Sequence, residues 1–159
     1  MPAEKTPHLD HHWIHFLGES QDLFVAKNTD YDSMFMRSLI KFGNDRGYEA
    51  SRTIWAWEVE KKLNRCRMWI QRGDLQVRNE GVLDSVIDLF IYSIQYKIYL
   101  ESKEYGRDPL AWLTVDNFGK MARRGPDYWV EFLVIQGLID KADKVLPALL
   151  REQMTGLPF

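Results

Sequence analysis

Residues 79–94, NEGVLDSVIDLFIYSI, form the most apolar helix-length run in the chain, and this run constrains the fold more than any other feature. Its apolar content predicts a helix at the centre of the fold. The same run carries Glu80, Asp84 and Asp88 at steps of four. At about 3.6 residues per turn, this spacing aligns the three carboxylates along one side of a helix. Burying an unpaired carboxylate is very costly, so these three acids need an explanation.

Three interpretations of the aligned carboxylates are open from the sequence. They could face solvent, although such a side usually includes lysine or arginine partners four residues away, and positions 81–96 contain neither residue. They could point into a polar pocket and bind Mg²⁺ or Mn²⁺, because these hard cations take oxygen ligands. They could also pair with basic residues of another helix.

Long periodic segments joined by short turns predict an all-α fold. The ten glycines and six prolines cluster between these segments, and alternating strand-like runs are absent from the sequence. Segment 43–52 is predicted to be a loop. The predicted helices are 9–27, 34–42, 53–71, 79–102, 109–123 and 126–153, with Pro147 dividing the last.

Length and composition predict one globular domain, with a helical core at 9–103 and a C-terminal helical extension at 104–159. The chain has 159 residues, of which 45% are hydrophobic and 28% charged, enough for one continuous core. Its net charge of -2 argues against stable nucleic-acid binding. Without an apolar leader or a run of about 18 apolar residues, we expect a cytoplasmic protein with no membrane partner. The single cysteine, Cys66, fits a reducing compartment and is predicted to be a buried thiol.

The segment WEVEKKLNR, residues 57–65, carries a basic pair close to an acid. Lys62 and Arg65 lie near one side of the predicted helix, together with Glu58. These bases could contact phosphates or could pair with the acids of the following helix. Glu58 is the best candidate for an additional metal ligand from this helix.

The turn AKNTDYDS, residues 26–33, offers a different set of groups. Asn28, Asp30 and Tyr31 supply acceptors, donors and a stacking ring, which suit a nucleobase or a sugar. The same residue types also end and cap helices, with Asp30 or Asp32 as the cap. The turn by itself therefore leaves a binding role and a structural role open.

Two other groups of residues have simpler explanations. His8, His11, His12 and His15 form pairs four residues apart, a spacing that can bind zinc, but they lie near the N-terminus without an HExxH motif and are predicted to be solvated. An interaction surface is the alternative for the aromatic residues of the C-terminal third, since aromatic residues concentrate at binding hot spots. Core packing explains them more simply. They are Trp112, Phe118, Tyr128 and Trp129.

Taken in order, the segments KNTDYD, WEVEKKLNR and NEGVLDSVIDLFIYSI resemble the phage nucleotide-modification-associated domain of the MazG-like, all-α NTP pyrophosphatase group. That family has a KNxDYG-like turn, a helix with a Lys/Arg pair and an acidic helix of the form E…D…D-L-x-x-Y. The resemblance covers about residues 20–100. The matching positions are Lys27, Asn28, Asp30 and Tyr31 in the turn, Lys62 and Arg65 in the basic pair, and Glu80, Asp84, Asp88 and Tyr92 in the acidic helix.

The resemblance implies a MazG-like four-helix core, a dimer or tetramer of identical chains, and a place in phage nucleotide metabolism in the host cytoplasm. It implies an NTP pyrophosphohydrolase in which Mg²⁺ or Mn²⁺ activates a water that attacks the α-phosphorus, releasing pyrophosphate and a nucleoside monophosphate. The residues that would hold the metal and carry catalysis are Glu58, Glu80, Asp84 and Asp88. Those that would bind the nucleotide are Lys62 and Arg65 at the phosphates, Asn28, Asp30 and Tyr31 at the base or sugar, and also Tyr92.

Two positions depart from the family pattern. Lys61 stands where a second acid of an ExxE motif is expected, and Asp32 stands where the turn has glycine. A missing ligand would leave one metal or none. The sequence therefore also allows a protein that sequesters a nucleotide, such as a signalling nucleotide, without cleaving it. A helical bundle for protein interaction is the second alternative.

Overall fold

A computed structural model describes residues 7–73 and 81–156. The predicted all-α fold is confirmed, because these residues form eight α-helices and no strand. None of the helices in this part of the chain is long and apolar enough to cross a membrane. In chain order they are α1 (Pro7–Asp30), α2 (Met34–Arg46), α3 (Tyr48–Arg72), α4 (Val82–Glu104), α5 (Pro109–Trp112), α6 (Val115–Ala122), α7 (Pro126–Ile135) and α8 (Val145–Thr155).

Helix α4 is the central helix, as its apolar content predicts. It packs against α1, α2, α3, α5, α6 and α8. Aromatic side chains make several of these contacts: the Phe90 ring lies 5.0 Å from that of Phe16 and 6.0 Å from that of Trp129. The Tyr96 ring stacks on Trp55 at 4.3 Å. These contacts join α1, α3 and α7 to α4 in one core.

The C-terminal helices complete that core. Phe118 is fully buried and stacks on Phe24 of α1 at 4.4 Å. Trp129 is also buried, and its indole N–H donates to the carbonyl oxygen of Met121 at 3.1 Å. Trp112 and Tyr128 are half-buried against the same core. Core packing is therefore confirmed as the explanation for Phe118 and Trp129.

The predicted loop at 43–52 is wrong, because most of it is helical. Helix α2 continues to Arg46 and α3 begins at Tyr48, so the chain turns at Gly47 alone. Gly47 has a φ of 91°, in the left-handed region that glycine adopts without strain. A single glycine thus makes the turn for which the sequence predicted ten residues.

The predicted breaks in the C-terminal third also differ. Segment 109–123 is two helices, because the Thr114 side chain accepts from the backbone N–H of Asn117 and begins α6. Pro147 does not divide a helix. It lies in the first turn of α8, where the missing N–H of proline has no helical partner to lose. The break lies at 136–144, where Gly137 has a φ of 80°.

The cysteine is buried, as predicted. Cys66 has no exposed surface and lies in the core on α3. Burial raises the pKa of its thiol to about 12, against the smaller lowering effects of Arg67 and Arg65. A thiol with this pKa stays protonated and unreactive at neutral pH.

Candidate functional site

The Asp88 carboxylate on α4 is held by two lysines from two other helices. Lys27 of α1 places its Nζ 3.0 Å from Oδ1, and Lys62 of α3 places its Nζ 3.0 Å from Oδ2. Only 15% of the Asp88 side chain is exposed. We call these three residues the Asp88 clamp. For Asp88, the interpretation that an acid pairs with bases of other helices is confirmed.

A pocket of about 230 Å³ lies beside the clamp. It forms where the end of α1 and the following turn meet α2 and α4. Ring contacts shape it, since Phe35 of α2 meets Tyr92 of α4 edge to face at 4.8 Å. We call it the aromatic pocket. Besides Lys27 and Asp88, its lining includes Phe24, Asn28, Tyr31, Phe35, Tyr92 and Gln95.

A second pocket, of about 280 Å³, also has Lys27 and Asp88 in its lining. We call it the charged pocket, and its other polar lining residues are Lys62, Arg65, Asp84 and Ser85. Arg65 is held there by a 2.9 Å hydrogen bond from its Nε to Ser85 Oγ. Three cations and two carboxylates leave this lining with a net positive charge. Each pocket is smaller than the roughly 300–1,000 Å³ typical of small-molecule sites, and only the two together reach that range.

The structure brings together residues from all three segments of the resemblance. Asp88 lines both pockets, while Asp30 and Glu58 line neither. Glu80 lies outside the described residues. Sequence reasoning missed Gln95, although a lone amide in an apolar helix was a visible signal. The predicted residues that do line a pocket are Asn28, Tyr31 and Tyr92 in the aromatic pocket, with Lys62, Arg65 and Asp84 in the charged pocket.

Tyr92 links the aromatic pocket to Glu58. Burial, together with the charges of Glu58 and Asp88 and a hydrogen bond to Glu58, raises the pKa of Tyr92 to about 12. The Tyr92 hydroxyl therefore stays protonated at neutral pH. Glu58 also binds Lys61, whose Nζ lies 3.1 Å from Oε2. Glu58 thus has partners within the protein, which the sequence did not predict.

The described carboxylates do not fit a magnesium site on their own. Across residues 7–73 and 81–156, no three His, Cys, Asp or Glu side chains are grouped to hold a metal. Lysines bind both oxygens of Asp88. Asp84 is exposed, and its Oδ2 accepts from the backbone N–H of Gly81 at 3.1 Å. Mg²⁺ or Mn²⁺ binding therefore stays a prediction from the resemblance.

The histidines of α1 are solvated, as predicted, wherever their side chains are described. His11, His12 and His15 are exposed. His12 Nε2 lies 3.1 Å from the carbonyl oxygen of Gln153, and His15 Nε2 lies 3.0 Å from Glu19 Oε1. The side chain of His8 lies outside the described part.

Comparison of the chain with protein-family models, with curated proteins and with solved structures finds no match in any of the three. The function must therefore be argued from the two pockets.

Proposed function

We propose that this protein binds a nucleotide across the two pockets, with the phosphates in the charged pocket and the base and sugar in the aromatic pocket. The Asp88 clamp carries this proposal. Lys27 and Asp88 line both pockets, and Lys62 lies beside Arg65 in the charged lining. Lysine and arginine bind phosphate oxygens through short, charge-assisted hydrogen bonds.

The aromatic pocket supplies the other half of a nucleotide site. Tyr31 is 66% exposed at the end of α1, and the rings of Phe35 and Tyr92 meet within the pocket lining. Stacking of a base on an aromatic side chain contributes about 1–3 kcal/mol. The Asn28 amide in the same lining offers both donors and an acceptor to a sugar or a base.

The backbone of the turn supports the MazG-like resemblance. Asp32 and Ser33 have φ values of 50° and 56°. Glycine adopts this left-handed region most readily, and Asp32 stands where the family turn has glycine. The Asp32 carboxylate pairs with Arg37 at 3.1 Å. On this basis we propose that α1–α4 correspond to the MazG-like four-helix core, and that the ligand belongs to phage nucleotide metabolism.

The geometry favours binding over hydrolysis. In the clamp, Asp88 provides an anion to the same two lysines that a phosphate would use, so the carboxylate and the phosphate compete for them. Lys61, which replaces a family acid, binds Glu58. This arrangement favours the sequestering alternative, while pyrophosphohydrolysis and assembly into a dimer or tetramer stay predictions of the resemblance.

Retention and turnover can be measured together. Purified protein is incubated with NTPs, dNTPs and cyclic nucleotides, with and without Mg²⁺ or Mn²⁺, and ligand and products are identified by chromatography and mass spectrometry. We expect a nucleotide to be retained unchanged. The nearly isosteric change Asp88→Asn removes the competing charge from Lys27 and Lys62, so affinity should rise about tenfold, the order of one charge-assisted hydrogen bond.

The matched control is Asp116→Asn, which removes an exposed aspartate paired with Lys120 on α6 at 3.1 Å. It should leave affinity unchanged. Release of pyrophosphate with metal, abolished by Asp88→Asn, would instead establish the hydrolase and make Asp88 a catalytic residue. If the protein neither binds nor cleaves a nucleotide, both the sequestering function and the pyrophosphohydrolase function are rejected.

A further inference from the structure

We infer that Gln95 recognises the hydrogen-bonding edge of a nucleobase in the aromatic pocket, an inference that rests on the proposed nucleotide binding. Gln95 lies on α4, is 7% exposed and lines the pocket. Within the described part of the chain, its side-chain amide makes no hydrogen bond. The amide can therefore hydrogen-bond to a ligand that enters the pocket.

Gln95 differs from the other buried polar side chains. Among the described residues, all the others are serines, and the hydroxyls of Ser20 and Ser93 also lack a hydrogen-bond partner. The Gln95 amide is larger and presents two N–H donors and one acceptor in a fixed plane. The nitrogen and oxygen of this amide are not among the fully buried unpaired atoms of the described residues, so a ligand in the pocket can reach them. A ligand group that pairs with both gains specific affinity.

The surroundings of Gln95 suit a flat heterocycle. Phe24 and Ile91 are almost fully buried in the lining, and Phe35 and Tyr92 add two aromatic rings. Such a lining covers the faces of a planar ring while the amide meets its edge. A glutamine amide pairs with two atoms at once where a base presents a donor next to an acceptor. The inferred ligand class is therefore a nucleotide with an intact base edge, in preference to a polyphosphate alone.

Isothermal titration calorimetry with ATP, GTP, CTP, UTP and inorganic tripolyphosphate tests this inference. We expect the wild-type protein to bind at least one nucleotide about tenfold more tightly than tripolyphosphate. Gln95→Leu removes the amide and should lower affinity for that nucleotide about tenfold or more, as expected for loss of a bidentate base contact. Affinity for tripolyphosphate should not change.

Two variants guard against a merely structural effect. Gln95→Met keeps the length of the side chain without its hydrogen bonds and replaces Gln95→Leu if the latter fails to fold. Ser93→Ala alters a buried polar residue of α4 that lines neither pocket, and it should bind nucleotide like the wild type.

The outcomes separate this inference from the proposed function. Unchanged nucleotide affinity in both Gln95 variants would overturn the role of Gln95 while nucleotide binding stands. An equal loss of nucleotide and tripolyphosphate affinity would also overturn it, since the effect would then be on the fold of the pocket. If the wild type binds none of the five probes, the proposed function itself fails.

Discussion

Two carboxylates on α4, Asp88 and Glu101, each meet basic side chains, but with different geometry. Asp88 binds Lys27 and Lys62 through one oxygen each, and these lysines come from two different helices. Arg124 donates to both carboxylate oxygens of Glu101, with Arg124 Nη1 2.7 Å from Oε2 and Arg124 Nη2 3.1 Å from Oε1. The first arrangement lies between two pockets that contain predicted site residues. The second lines a different pocket of about 170 Å³, without predicted site residues, and joins α4 to the segment between α6 and α7.

The difference lies in how many hydrogen-bond donors remain. Arg124 donates to Glu101 through two nitrogen atoms and also donates to the Tyr128 hydroxyl at 2.8 Å. Much of its hydrogen-bonding capacity is therefore used within the protein. A lysine ammonium has three donors, and Lys27 and Lys62 each bind one Asp88 oxygen. The Glu101–Arg124 pair is therefore expected to contribute to stability, while the Asp88 clamp keeps donors for the proposed nucleotide.

The largest effect is expected for Lys62→Ala. It removes one cation from the clamp, and because a charge-assisted hydrogen bond contributes about 1.5–3 kcal/mol, nucleotide affinity should fall about tenfold to a hundredfold. Lys27 still pairs with Asp88, so circular dichroism should show an intact fold. Calorimetric titration measures the affinity.

Lys61→Ala is the matched control, because Lys61 is the adjacent residue of α3 and lines neither pocket. It should bind nucleotide as the wild type does. An equal loss of nucleotide affinity in Lys62→Ala and Lys61→Ala would contradict a specific role for the clamp lysine.

A smaller effect, on stability, is expected for Arg124→Ala. The variant leaves Glu101 without its forked partner, and the free energy of unfolding should fall by about 1 kcal/mol, the upper end for partly exposed pairs. Urea unfolding measures this change. Lys120→Ala, which breaks the exposed pair with Asp116, should cost less. A loss of nucleotide affinity in Arg124→Ala would contradict the assignment of this pair to stability.

The smallest effect is the pH dependence of the Glu101 pair. Burial raises the pKa of Glu101, but the hydrogen bonds and charge of Arg124, with Lys97, outweigh it and lower the pKa in the folded protein. The pair therefore contributes stability above the unfolded pKa of about 4.3, and this contribution is lost as pH falls through the lower, folded-state pKa. The difference in unfolding free energy between wild type and Glu101→Gln should shrink from pH 6 towards pH 3. If this difference in unfolding free energy stays constant with pH, the charge of Glu101 does not contribute to stability.

Local patterns were enough to predict much of the fold. The periodicity of apolar residues predicted the all-α class and the central position of α4, and Cys66 is buried as predicted. Boundaries were less predictable, because polar residues such as those at 43–52 can form a helix as well as a loop. There, the α2–α3 packing keeps them helical on both sides of Gly47.

The sequence by itself determined the all-α class and indicated several of the side chains that line the two pockets, since both follow from residue type and short-range spacing. Only the tertiary structure decided the pairing within the site. The bond from Lys27 to Asp88 joins residues 61 positions apart, and such a contact depends on how α1, α3 and α4 pack. The same packing left the Gln95 amide in a pocket. Spacing along a helix indicates which residues share a side, but the neighbouring helices decide what that side meets.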